Sequence, residues 1–348
     1  MIRLATRDDW ASIRALLLAT PMSASLPLVV SRAEDPELAY PRPGAEGIAL
    51  VSVGGDGAID GYLHGAIESR RIMRGNSLVP ERVMYLGDLR IAASARWTGR
   101  AKALLAAIRD HGRERGLSAG FCLVNDGNNA IVDLVTGGAL GHRGAVLRTF
   151  TTAARLLVRR PRAAEGLEEY RPDSGDFAAM LNAGAGRFLS AALEPAQLAE
   201  HVARYPEMRF FRRAGERAPL FALWNPRRAR ALQLSTLPLA LRVARAGWNL
   251  AGGHRFPSAG EAWQSATVTL ATREGLRPGD DDAMASLAFE MGCHTLEHVE
   301  SGLERESPLR LTGPCVRMKT HLVTLAIDDR DLPVCPPQMP VEVDLGFL

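Results

Sequence analysis

The chain has 348 residues, 47% of them apolar and 23% charged, with a formal net charge of +3. That length exceeds one ordinary domain and suits two, each able to bury its own core. So mild a positive charge does not by itself imply a nucleic-acid partner, although it suits an anionic cofactor. Charges among Met1 to Asp9 stand where a secretory signal needs an apolar core. No apolar run reaches the ~20 residues of a membrane span, and Arg242 and Arg245 interrupt the nearest one, Leu237 to Leu250. Cys122, Cys293, Cys315 and Cys335 follow no disulfide or metal-site spacing. The expectation is a cytoplasmic protein with reduced thiols and no membrane contact.

In chain order, Thr6 and Asp9 form a capping pair for a helix whose buried stripe is Ile13, Leu16 and Leu17, ended by Pro21. Ile48 to Val53 reads as a strand, Gly54 to Gly57 as its turn, and Ile59 to about Glu68 as the next strand. Val83 to Ile91 reads as a further strand and Arg96 to Arg115 as a helix ended by Gly116. Phe121 to Val124 is then a strand, Asn128 to Val135 a short helix, and Gly144 to Thr151 a closing strand. This order is an α/β (α+β) pattern. The charged, turn-rich stretch 159–176 reads as a linker, which divides the chain into domains 1–158 and 177–348. The second half again opens with helices, around Phe177 to Leu181 and Pro195 to Arg204. Strands follow at Met208 to Arg212, Pro219 to Trp224, Thr267 to Ala271, His294 to Val299 and His321 to Ile327.

Chemistry concentrates between Asp88 and Leu105. A strand ends at Ile91, a turn follows, and a helix begins near Gly99, with Ala101, Leu104, Leu105 and Ile108 on one apolar face. Unbonded amides and the positive dipole end make a helix N-terminus an anion site. Gly99 and Ala101 leave the backbone open to a pyrophosphate, and Arg96 and Arg100 add charge at its rim.

Arg96, Gly99 and Ala101 match the Arg-x-x-Gly-x-Ala coenzyme A loop of the GNAT acetyltransferases. The strand end Leu89, Ile91 before it and the Ile2 to Asp9 opening resemble that family too. The resemblance implies acetyl-CoA as co-substrate, with its pyrophosphate on Arg96, Trp97, Thr98, Gly99, Arg100 and Ala101. It also implies that the strand ending at Ile91 splays from the next, that the backbone of Leu89, Arg90 and Ile91 holds the pantetheine arm, and that Asn128 or Asn129 contacts the cofactor. Either asparagine can equally be a helix cap. The second half resembles the degenerate partner of tandem GNAT proteins at Leu220 to Asn225, Leu239 to Asn249 and Ser301 to Leu309, without a phosphate loop. The implied architecture is two GNAT-like domains, each a mixed, mostly antiparallel sheet flanked by helices. The second domain then walls the substrate cleft or forms a homo-oligomer.

Acyl transfer to an amine needs proton acceptance and donation. The family's usual tyrosine is replaced near Leu134, and Gly138 to His142 lacks the family's Gly-Phe ending. Tyr85 and Asp88 stand as catalytic replacements, with His64 and Glu68 on the strand before; Asp88 can instead pair with Arg90 or Arg96, and Tyr85 can be a core aromatic. His294 to His298 spells the HxxEH of inverted zinc proteases, but its surroundings suit a strand, which separates the two histidines by roughly 13 Å, too far for one metal. The basic runs Arg159 to Arg162 and Arg227 to Arg230 sit at turns without aromatics and read as solvated surface rather than a nucleic-acid interface. The expected function is acetyl transfer to an amine of a small molecule or peptide, without a metal; the alternative is a non-catalytic acyl-CoA-binding or assembly protein.

Overall fold

The structure is a computed structural model that describes residues 1–21, 28–137, 143–161, 166–237, 239–272, 275–277, 279–301, 311–328, 332–333 and 335–342. The first half runs β1 (Ile2–Leu4), α1 (Trp10–Ala19), β2 (Leu28–Arg32), α2 (Pro36–Ala39), β3 (Glu46–Val53), β4 (Ile59–Arg74), β5 (Ser77–Ile91), α3 (Arg100–Glu114), β6 (Ala119–Asn125), α4 (Asn129–Thr136) and β7 (Gly144–Leu156). The second runs β8 (Leu167–Tyr170), α5 (Ser174–Ala183), α6 (Pro195–Arg204), β9 (Met208–Arg213), β10 (Pro219–Trp224), β11 (Arg230–Leu234), α7 (Leu239–Leu250), β12 (Ala262–Trp263), β13 (Ser265–Thr269), α8 (Asp280–Glu290), β14 (Thr295–Ser301) and β15 (Cys315–Ala326).

The locally coded elements fall where their residues predict. Thr6 and Asp9 close a capping box ahead of α1, which buries Trp10, Ile13, Leu16 and Leu17. The α3 stripe Leu104, Leu105 and Ile108 is buried, while Lys102 and Arg113 face solvent. Its other end stops at Gly116, whose φ of +71° is open to glycine without strain. β4 and β5 are longer than their apolar cores suggest, because a hairpin turn at Gly75 pairs them out to Arg74 and Ser77.

Strand pairing departs from two separate sheets. One 12-stranded sheet runs β1-β3-β4-β5-β6-β15-β7-β14-β13-β10-β9-β8. β15, from the end of the chain, lies between β6 and β7 and pairs antiparallel with both. β7 in turn pairs with β14, so the two halves share one hydrogen-bonded ladder. Part of the expected linker is also ordered: Leu167–Tyr170 forms the edge strand β8, where Glu168 and Glu169 bond Arg212 and Arg209 of β9. A second sheet, β12-β11-β2, joins a first-half strand to two second-half strands. β2 and β11 were not evident from periodicity, because they are short and packed rather than cleanly alternating.

Two cores flank the sheet near its middle. Leu63, Leu86, Leu104, Leu105, Ile108, Cys122, Val124 and Val135 pack on the α3 and α4 face. Phe121, Phe150, Phe188, Val299 and Leu322 pack on the opposite face, with Tyr85 and Leu123 against them. The Gly138 to His142 ending, Arg162 of the basic run and the Ser301 to Leu309 resemblance, apart from Ser301 itself, lie outside the described residues.

Candidate active site

A split in the sheet makes the site. β5 and β6 pair in parallel only at Met84–Leu86 against Gly120–Cys122. Beyond that point β5 stays with β4 as far as Ile91, and β6 follows β15 as far as Asn125, so the two strands part. On β5 the register with β4 slips: His64 faces Gly87 but Tyr62 faces Arg90. The extra residue is a bulge, and Asp88 sits in it with φ +50°.

The split opens into a cleft of about 520 Å³. On the α3 and α4 side its walls are apolar, among them Leu63, Leu86, Leu105, Ile131 and Val135. On the other side they come largely from the second half and mix polar groups, Asn225, Arg230, Gln264, Ser265 and Glu297 with Arg32 of β2, with the apolar Val30, Pro226, Ala231, Leu232 and Trp263. β11, β12 and β2 form the lid of that side, so the second half walls the cleft.

At the mouth, Ala93–Ala95 makes a short 3-10 turn and α3 starts at Arg100, with Gly99 before it at φ +80°. Ala103 is the first amide to bond back, to the Gly99 carbonyl at 3.0 Å. The amides of Arg100, Ala101 and Lys102 therefore have no helical carbonyl and point outward from the dipole's positive end. A Cβ at Gly99 would meet no protein atom within 4 Å. What glycine provides there is the left-handed φ and a bare approach. Trp97 is 100% exposed beside it, at φ +68°. Arg96 lines the cleft. Arg100 leans the other way: its Nε lies 3.2 Å from Asp60, an ion pair without hydrogen-bond geometry. Asn128 occupies the cap position of α4, makes no side-chain cap bond, and lines the cleft. Asn129 is the first residue of α4 and is exposed.

The two catalytic candidates fall inside the cleft in different states. Asp88 is bonded twice by Arg32, at 2.6 and 3.1 Å, and once by the Tyr40 hydroxyl at 3.1 Å, with Arg90 at 3.5 Å. Burial alone would raise its pKa, but Arg32 and Arg90 outweigh that and hold the carboxyl well below the usual range. A carboxylate so held is a weak base, and its main partner is Arg32, not the Arg90 or Arg96 of local sequence. Tyr85 lies across the strand because residue 87 is glycine: a Cβ there would come within 2.8 Å of the Tyr85 ring. Arg42 sits 3.4 Å over that ring, and burial pushes the Tyr85 hydroxyl up.

The neighbouring candidates on β4 are engaged elsewhere. Glu68 is clamped between Arg42 (2.8 Å) and Arg70 (3.0 Å). His64 stacks on Tyr40, and burial followed by the charges of Arg42 and Arg32 drives its pKa well down, so it is neutral.

Two cleft residues were missed. Arg230, read from the basic run as solvated, faces the cleft instead, opposite Glu297. Glu297 belonged to the HxxEH motif, but its segment is strand β14, on which Thr295 and Glu297 share a face. His294, just before the strand, is held by the Gln264 amide and the Arg255 carbonyl. The period-2 alternation of a strand was the signal that pointed Glu297 inward.

Compared with known proteins, the chain matches no family model and no curated protein. Among solved structures it is similar to N-myristoyltransferase of Saccharomyces cerevisiae with bound myristoyl-CoA, with a TM-score of 0.60 and 8% identity over 92% of this chain and 82% of that one. It is also similar to a tandem GNAT protein from the clavulanic acid biosynthesis pathway, with a TM-score of 0.53 and 12% identity over 95% and 99%. At such identities the likeness is one of fold: the chain has the mixed α/β fold of the GNAT proteins, and it spans a tandem protein end to end.

Proposed function

We propose that this tandem GNAT-fold chain transfers the acetyl group of acetyl-CoA to an amine of a small molecule or peptide. The observation that carries the reading is the cleft through the β5–β6 split, with a bare helix N-terminus and a left-handed glycine at its mouth. Outward amides and an αL glycine suit a pyrophosphate, and an apolar slot between diverging strands suits a pantetheine arm. In this reading the amides of Arg100, Ala101 and Lys102, with Gly99 and Arg96, take the pyrophosphate. The β5 backbone from Leu89 to Ile91 and Asn128 line the arm's path. Acetyl-CoA supplies an activated thioester. The fold neighbours that bear on the acyl donor are a protein solved with myristoyl-CoA and a tandem GNAT protein.

The protein's own groups divide the remaining work. Tyr85 stays protonated at neutral pH because burial raises its hydroxyl, so it is a donor rather than an acceptor. Asp88 anchors Arg32 and fixes the bulge. A non-catalytic acyl-CoA-binding protein is the second reading, favoured by Leu134 standing where the resemblance calls for tyrosine.

Thermal-shift titration with acetyl-CoA and with CoA tests the binding both readings share. Ligand at 100 times its Kd is expected to add about 2.7 kcal/mol of stability. Gly99→Val forces a β-branched residue to a positive φ and should abolish that gain while the unliganded protein stays folded. No stabilisation of the wild type by either ligand would sink both readings. Release of free thiol in the presence of an amine then separates transferase from binder.

A further inference from the structure

The cleft differs in chemistry on its two sides. Its α3 and α4 side carries the apolar core residues Leu86, Leu105, Ile131 and Val135, and its second-half side carries Arg230, Gln264, Ser265 and Glu297, so an amine acceptor meets the thioester from the face of β2, β11, β13 and β14. Among the described residues, two carboxylates line the cleft, Asp88 and Glu297. Asp88 is spent on Arg32, Arg90 and Tyr40. The cleft's one thiol, Cys122, is pushed up to about 12 by burial and stays protonated.

Resting on the acyl-transfer reading, we infer that Glu297, carried on β14 of the second half, is the acid–base group that takes the proton from the acceptor's ammonium. Its setting differs from that of Asp88. The hydroxyl of Ser265, on the adjoining β13, bonds its carboxylate. Burial raises its pKa; the positive charge of Arg230 on β11 and the Ser265 bond offset part of that rise without reversing it. A carboxylate displaced upward is a stronger base than an ordinary one.

Other groups facing Glu297 do not compete for the proton. Cys293, which precedes β14, is held up to about 12 by burial and by the charge of Glu297 itself. Arg227 acts on Cys293, and Arg32 on Arg230. On the β7 side the residue opposite Glu297 is Ala154, which carries no charge.

The step balances as follows. The ammonium gives one proton to Glu297, and the freed nitrogen lone pair forms the C–N bond as the C–S bond breaks. The second nitrogen proton goes to the departing sulfur, leaving an amide, a thiol and a protonated Glu297 that releases its proton to water.

Thiol release from acetyl-CoA, with ethylamine or trifluoroethylamine as acceptor, tests this. At pH 7 ethylamine is an ammonium ion and trifluoroethylamine is largely unprotonated. Glu297→Gln is expected to slow the ethylamine reaction by about 10²–10⁴-fold, to slow the trifluoroethylamine reaction far less, and to remove the acidic limb of the pH profile. Glu297→Asp should recover part of the rate. Acetyl-CoA should stabilise all three proteins equally, which shows that the variants fold and bind. A carbon-13 titration of the glutamate carboxyls, with Glu297 assigned by its absence in Glu297→Gln, reads the basicity without turnover. An equal loss with both amines, an unchanged rate, or a Glu297 that titrates at or below the ordinary glutamate range overturns the inference and leaves cofactor binding intact. A wild type that neither binds nor cleaves acetyl-CoA overturns the acyl-transfer reading instead.

Discussion

Asp88 shows how one residue's surroundings decide its chemistry. Arg32 is buried and the Asp88 side chain is only 10% exposed, and a buried charge that loses its partner is left uncompensated. Asp88→Asn should therefore cost about 3–5 kcal/mol of stability at neutral pH, read by denaturant unfolding. The pH dependence has a definite sign. The folded pKa of Asp88 is depressed, so its contribution is fully present above the unfolded carboxylate range near 3.8 and fades as pH falls through the folded value. Repeating the unfolding at lower pH should narrow the gap between wild type and Asp88→Asn; a constant gap would mean that the pair does not stabilise as argued. The sequence identified Asp88 as chemically important and offered Arg90 as a partner, which lies at 3.5 Å. It did not reveal Arg32, because that pairing spans 56 residues and no local pattern encodes it. Glu297 was hidden for a related reason: its segment reads as a strand, but that one face of this strand meets the cleft depends on elements distant in sequence.

At the scale of elements, α3 was the most legible part of the chain. Its apolar spacing, its terminal glycines and the turn ahead of it are all coded within some twenty-five residues; the helix starts at Arg100 rather than at Arg96, because Gly99 takes a left-handed φ ahead of it. Leu104 sits at the centre of that stripe with no exposure, between β4 and β5 and the rest of the α3-side core. Leu104→Ala should cost about 2–5 kcal/mol through lost burial and the cavity left behind. Because α3 also presents the bare amides, the surviving folded protein should bind acetyl-CoA more weakly, measurable as a reduced thermal shift. A normal shift would show that the helix N-terminus is held independently of its core stripe. Strand partners were less legible. His321 to Ile327 reads as a strand from its residues, yet nothing in them says that it inserts between β6 and β7, since pairing depends on backbone edges that sequences do not label.

For the whole molecule, the shared ladder makes the expected division at residue 158 a hypothesis about folding as well as about anatomy. Residues 1–158 alone would lack β15, leaving the facing edges of β6 and β7 unpaired and the core around Phe121 and Phe150 without Leu322. Expressed alone, that segment should aggregate or stay partly unfolded, and co-expression with 159–348 should restore soluble protein, as read by size-exclusion chromatography and circular dichroism. A well-folded monomeric 1–158 would show that β15 is dispensable to the first half. Among the described residues no helix is long and apolar enough to cross a membrane.

The position of β15 also sets a clock. During synthesis β7 ends at Leu156, and the strand that joins it to β6 begins only at Cys315. At about 5–20 residues per second a ribosome needs roughly 8–30 s to cover that distance. Throughout that interval β6 and β7 wait without the strand that joins them. Long-range pairing of this kind folds slowly, and the nascent first half is the stage at which a chaperone would matter most.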